Sequence, residues 1–88
     1  GVIFLTLVAD QDGALLTDPR WRAEGVHWDA SGKEAELKVA VAGAVAALPA
    51  GQRRDDETVC EVARLVVRRH FRRAHDKRPT VVVELVRL

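Results

Sequence analysis

Pro79-Thr80-Val81-Val82-Val83-Glu84-Leu85-Val86-Arg87-Leu88 closes the chain. A proline ring removes an amide donor and clashes with the preceding turn, so a helix arriving from the arginine-rich segment before it must stop there. The residues that follow are almost all β-branched or aliphatic, which predicts a strand. Its counterpart lies at the other end of the chain, where Val2 to Ala9 is an unbroken apolar run. Such a run suits a strand that is central in a sheet or covered on both faces. If the last strand pairs with the first, the sheet closes through the two ends of the sequence.

Between these strands the punctuation is clear in places. Asp10-Gln11-Asp12-Gly13 has the composition of a tight turn in which Gly13 takes a positive φ, and Ala14-Leu15-Leu16 is expected to return as a short second strand. Residues 17–30 show no clear period; Pro19 and Gly25 interrupt them, and both tryptophans, Trp21 and Trp28, fall there. Ser31-Gly32-Lys33-Glu34 reads as a capping box, in which the hydroxyl and the carboxylate each satisfy a free amide of a helix start. Leu37, Val41, Ala44, Val45 and Leu48 then recur at helical spacing, and Pro49-Ala50-Gly51 ends that helix.

A second helix opens at Asp55 and Asp56, with Glu57 adding favourable charge to its first turn. Val59, Ala63, Val66, Val67, His70 and Ala74 line its apolar face, with Phe71 expected half-buried. Glu57, Glu61, Arg64, Arg68 and Arg72 form a polar stripe flanked by Arg69 and Arg73. The element order is strand, strand, helix, helix, strand. The expected fold is therefore α+β: a small two-layer domain with a three-stranded sheet of order 2-1-3 and two helices on one face.

Residues 1–88 read as one domain, and the absence of Met with a Gly-Val-Ile start reads as a module of a longer protein. The composition, 48% hydrophobic and 31% charged, is that of a globular chain rather than a disordered one. No apolar run is long enough to span a bilayer, so no membrane partner is expected, and the single cysteine excludes an internal disulfide. Cys60 reads as a small helix-packing residue, and the expected compartment is the cytoplasm.

Catalytic chemistry finds little support. The three histidines, His27, His70 and His75, form no metal-binding spacing, and there is no Cys-x-x-Cys. Ser31, the only serine, is committed to a helix cap, and no phosphate loop is present. No catalytic residue, metal ligand or cofactor is therefore assigned within this chain. A small ligand-binding domain finds no specific pocket in the sequence either.

Two features remain. Residues 1–62 carry six Lys/Arg against eleven Asp/Glu, whereas residues 63–88 carry eight against two, so a net +1 conceals −5 and +6 portions. Arg64, Arg68, Arg69, Arg72, Arg73, Lys77 and Arg78 are thus candidate RNA contacts through phosphates, or else a solvated face that offsets the acidic portion. Arg20-Trp21-Arg22 is the one place where basic and aromatic residues interleave. The other feature is Val39 to Leu48, ten positions without a polar side chain. Ala35, Val39, Ala42, Gly43 and Ala46 lie away from the core stripe and are either a packing face for a second subunit or the parent's remainder, or alanines that tolerate water.

Taken together, the Gly1-Val2-Ile3 strand opening, the Asp/Gly hairpin followed by Asp18-Pro19, the Gly25-Val26 step and the Leu48-Pro49…Arg53-Arg54-Asp55 junction carry a resemblance. With the basic pair Lys77-Arg78 before Pro79 and the Val-rich closing strand, the chain resembles the C-terminal domain of ribonuclease J over nearly its whole length. Enzymes of that family are metallo-β-lactamase-type nucleases that degrade RNA both 5′→3′ exonucleolytically and endonucleolytically. The resemblance implies zinc-type metal ions in the parent's other domains, held by a His-x-His-x-Asp-His motif of which nothing occurs here. It also implies an accessory role in homodimer or higher assembly, with contacts to the parent's other domains. The alternative is an RNA-guiding module that uses the basic second helix. Trp21, Trp28 and the alanine-heavy first helix depart from common versions of the domain.

Overall fold

A computed structural model describes residues 1–25, 33–75 and 79–88, with the backbone alone at 33 and 73–75. Its elements are β1 (Val2–Ala9), β2 (Arg20–Glu24), α1 (Lys33–Ala46), α2 (Ala50–Arg53), α3 (Asp56–His75) and β3 (Thr80–Arg87). The sheet order is β2-β1-β3, the expected 2-1-3. β1 is central, antiparallel to β2 and parallel to β3, and the parallel ladder runs in register from Val2 opposite Thr80 to Ala9 opposite Arg87. Bonds from Thr80 N to Gly1 O and from Leu88 N to Ala9 O extend that ladder at both ends.

Alternation decides which side of the sheet is the core. Ile3, Leu5, Leu7 and Ala9 are buried, as is Val81, and they meet Leu37, Val41 and Val45 of α1 and Val59, Ala63, Val67 and Phe71 of α3. Trp21, Ala23, Val83 and Leu85 pack at its margin. Burying each of these larger side chains contributes about 1.5–3 kcal/mol against leaving it in water. Phe71, expected half-buried, is fully enclosed, and it meets the His70 ring edge-on at 5.7 Å between centroids.

The turn after β1 forms as expected. Asp10 Oδ1 accepts from the amides of Asp12 and Ala14, and Gly13 has φ +91°. Gly13 is buried beneath α2, where a Cβ would collide with the backbone of Arg53.

Two expectations of secondary structure are corrected. Ala14-Leu15-Leu16 contributes one isolated bridge, Ala9 to Leu15, and the second strand is Arg20–Glu24. Its five residues alternate between exposed and half-buried, a period of two that the flanking Pro19 and Gly25 obscure in the sequence. Pro49-Ala50-Gly51 does end α1, but Ala50–Arg53 forms a short helix of its own, because Pro49 is well suited to precede a helical turn. β1 lies at the centre of the sheet, one of the two placements its unbroken apolar run allows, and the helices cover one of its faces. The expected capping box at Ser31 and the Gly25-Val26 step involve residues outside those described.

Candidate assembly and anion-binding surfaces

Both helices lie on one side of the sheet, so the residues that alternate with the core face outward. They form rows across the three strands. Arg22, Phe4 and Val82 make one row; Arg20, Thr6 and Glu84 make the next; Val8 and Val86 follow. Val82 is 45% exposed and Val86 37%, large values for valines in the middle of a strand. The Arg22 guanidinium lies 5.0 Å from the Phe4 ring centroid and its Nε is 3.6 Å from Glu24. Phe4, Thr6, Arg20, Trp21, Arg22 and Glu84 border a shallow cavity of about 430 Å³. Arg20 and Glu84 make no ion pair among the described residues. The face therefore carries Arg20 and Arg22 along β2, with Glu24 beside Arg22, a mainly apolar centre on β1 and the Glu84 carboxylate on β3.

Trp21 points the opposite way, into the margin of the core, with the Lys38 ammonium 5.7 Å from its ring. The interleaved Arg20-Trp21-Arg22 segment is thus split between the two faces of β2. Sequence reasoning did not assign Phe4, Thr6, Arg20, Arg22 and Glu84 to one surface. The signal that would have found it is the two-residue alternation in Arg20–Glu24.

The first-helix face expected to meet a partner is open. Ala35, Val39, Gly43 and Ala46 are exposed, Val39 by 72%, and Ala42 is half-buried. Its opposite side, Leu37, Val41 and Val45, is wholly buried. From Val39 onward the helix is therefore apolar all round and covered on one side.

Along α3 the arginines divide by what they touch. Arg64 is paired to Glu61 at 2.6 Å. Arg68, Arg69 and Arg72 are exposed, make no ion pair among the described residues, and line one cavity of about 320 Å³ together with Leu65. The side chain of Arg73, and all of Lys77 and Arg78, lie outside the described residues. Arg87 belongs to the basic portion by sequence but serves the fold. Its Nε donates to Asp56 Oδ1 at 2.6 Å, while its terminal nitrogens donate to the carbonyls of Asp10 at 3.0 Å and Arg53 at 2.9 Å.

Near the start of α3, Asp56, Glu57, Cys60, Glu61 and Arg64 border a further cavity of about 490 Å³. Burial pushes the Cys60 thiol up, and the Asp56 carboxylate adds to the effect. A raised thiol pKa favours the protonated form, which disfavours nucleophilic attack. Asp55 caps the helix: its Oδ2 accepts from the Thr58 hydroxyl and amide, and those two bonds, the hydroxyl's first, hold its carboxyl below the usual range. Among the described residues no three His, Cys, Asp or Glu side chains converge as a metal ligand set would, and no helix is long and apolar enough to cross a membrane.

Comparison with known proteins agrees with the resemblance. The family model described as the ribonuclease J C-terminal domain matches residues 1–88. No curated protein matches the chain.

Proposed function

The chain belongs to the ribonuclease J C-terminal domain family, and on that premise we propose that it is the non-catalytic assembly module of a ribonuclease J-like parent. That parent would degrade RNA in the cytoplasm, 5′→3′ and endonucleolytically, with metal ions held in its other domains. The module brings two copies together through the open face of the sheet. The observation that carries this reading is the charge pattern of that face.

A two-fold axis parallel to β1 places β2 of one copy over β3 of the other while keeping each row level. Arg20 and Glu84 occupy one row, on either side of Thr6. Rotation therefore sets each Arg20 opposite the partner copy's Glu84, giving two ion pairs around a centre of Phe4, Thr6, Val8, Val82 and Val86. Sheets pack about 10 Å apart, a gap that an arginine and a glutamate bridge together. A two-fold contact must be self-complementary, and this face is.

The interface is small. Three strands and eight residues of strand length give a face of roughly 14 by 26 Å. That is about half the ~800 Å² per partner of a standard interface, so the isolated module associates weakly and depends on the parent for added contact. The uncovered side of α1, centred on Val39, is the second surface available to the parent's other domains.

Sedimentation equilibrium over a range of concentrations tests the reading. Wild-type chain should show a reversible monomer–dimer equilibrium. Glu84→Arg should weaken it by at least tenfold, because it places arginine against arginine. The double variant R20E/E84R should recover most of the loss, since the pairs re-form with exchanged signs. A monomer at every concentration, or no recovery in the double variant, would overturn the sheet-face assignment.

A further inference from the structure

The cavity on α3 has no part in the assembly reading. Its described lining is three guanidiniums, Arg68, Arg69 and Arg72, and one aliphatic side chain, Leu65, which is 39% exposed. We propose that this cavity is a binding site for the phosphodiester backbone of single-stranded RNA.

Among the described residues these cations are uncompensated. Arg64 is held by Glu61 and Arg87 by Asp56, but none of these three has an anionic partner among the described residues. Arg68 and Arg72 are four residues apart, a spacing at which like charges repel across the helix surface. A bound anion removes that repulsion. The C-terminal half of a helix tolerates cations well, which explains why the repulsion is sustained without a ligand.

The ligand class follows from shape and chemistry. Guanidinium forks match phosphate oxygens in pairs, better than an ammonium does. From Arg68 to Arg72 the helix rises about 6 Å, which suits phosphates presented in series more than one small anion. A volume of about 320 Å³ lies at the small end of ligand pockets, which run from about 300 to 1,000 Å³. Leu65 supplies an apolar surface on which a sugar or base packs, something a bare polyanion does not use. Single-stranded RNA presents both: phosphates in series and, beside them, sugars and unpaired bases. The site lies in the helix layer, on the opposite side of the sheet from the Phe4 face, so this proposal and the assembly reading fail independently.

Fluorescence anisotropy of a labelled twelve-nucleotide oligouridine, titrated with the chain at several potassium chloride concentrations, tests it. Three phosphate contacts on a single strand give a slope of about −2 in log affinity against log salt, a loss of about 20-fold between 50 and 200 mM. The triple variant R68Q/R69Q/R72Q should lose this salt-sensitive binding, and Arg68→Gln alone should flatten the slope by about one third. Glutamine keeps good helix propensity, and circular dichroism checks that the fold is retained. Leu65→Ala should weaken RNA several-fold while leaving competition by inorganic polyphosphate unchanged. No binding at 25 mM salt, or an affinity in the triple variant within twofold of wild type, overturns the site. Poly-glutamate or polyphosphate competing as well as RNA, with Leu65→Ala silent, overturns its assignment to RNA.

Discussion

Arg87 shows how far a residue's role can depart from its type. It stands in the basic third of the chain, yet its guanidinium is spent inside the fold, joining the end of β3 to the β1 turn, to the end of α2 and to the start of α3. The partner carboxylate of Asp56 is largely exposed, so the ion pair contributes little. The part-buried Arg53 carbonyl matters more, because the guanidinium is the donor that satisfies it, whereas the Asp10 carbonyl keeps its bond from the Gly13 amide. Arg87→Met, which keeps the apolar stem, should therefore destabilise the domain by about 1–3 kcal/mol, seen as a lower midpoint in urea with an unchanged slope. An unchanged midpoint would show that water replaces the guanidinium at no cost. Gly13 makes the complementary point. Both its φ and the closeness of Arg53 exclude a side chain, and only the first constraint is visible in Asp10-Gln11-Asp12-Gly13.

Among the elements, α3 has the clearest start. Asp55 accepts two bonds from Thr58, and its charge sits at the positive end of the helix. Because the folded carboxyl is held below its ordinary value, its contribution is complete above the unfolded value of about 4 and disappears as pH falls through the folded one. Asn caps comparably without the charge. Asp55→Asn should thus be less stable than wild type at pH 7, and the gap should close below pH 4 in thermal melts recorded across pH. A gap that stays constant with pH would assign the cap to geometry alone. β2 is the element where local reading failed. Arg20–Glu24 is only five residues long, its outward side chains are charged, and its partner on the sheet is more than a dozen residues away. Its strand character comes from pairing with β1 rather than from its own composition, as is usual for a short edge strand.

The whole molecule is a two-layer structure whose sheet is covered on one side only. α1 and α3 cover one side of the sheet, and the other side exposes apolar residues between Arg20 and Glu84. If two copies close over that side, folding and association are linked, since the dimer forms only from native chains. The melting temperature should then rise as protein concentration increases from about 10 to about 500 μM, and Glu84→Arg should remove the rise. A concentration-independent melt of the wild-type chain would count against the pairing. The opposite pole carries Arg68, Arg69 and Arg72 of α3, which make no ion pair among the described residues, so the −5 and +6 portions of the sequence correspond to distinct surfaces only in part: Arg64 and Arg87 are consumed within the fold.

The central and closing strands, both long helices, the Gly13 turn, the Asp55 cap and the 2-1-3 sheet were legible in the sequence, because each rests on local pattern or on the pairing of two uninterrupted apolar runs. The candidate arginines were legible by type, since charge is a property of composition. What needed the tertiary structure was everything set by contacts between distant residues: the position of β2, the enclosure of Phe71, the separation of Arg68, Arg69 and Arg72 from the paired Arg64 and Arg87, and the rows that bring Arg20, Thr6 and Glu84 onto one face. Side-chain period shows that a strand has two sides, but only the packing of the helices against Ile3, Leu5 and Leu7 decides which side is core and which is left open.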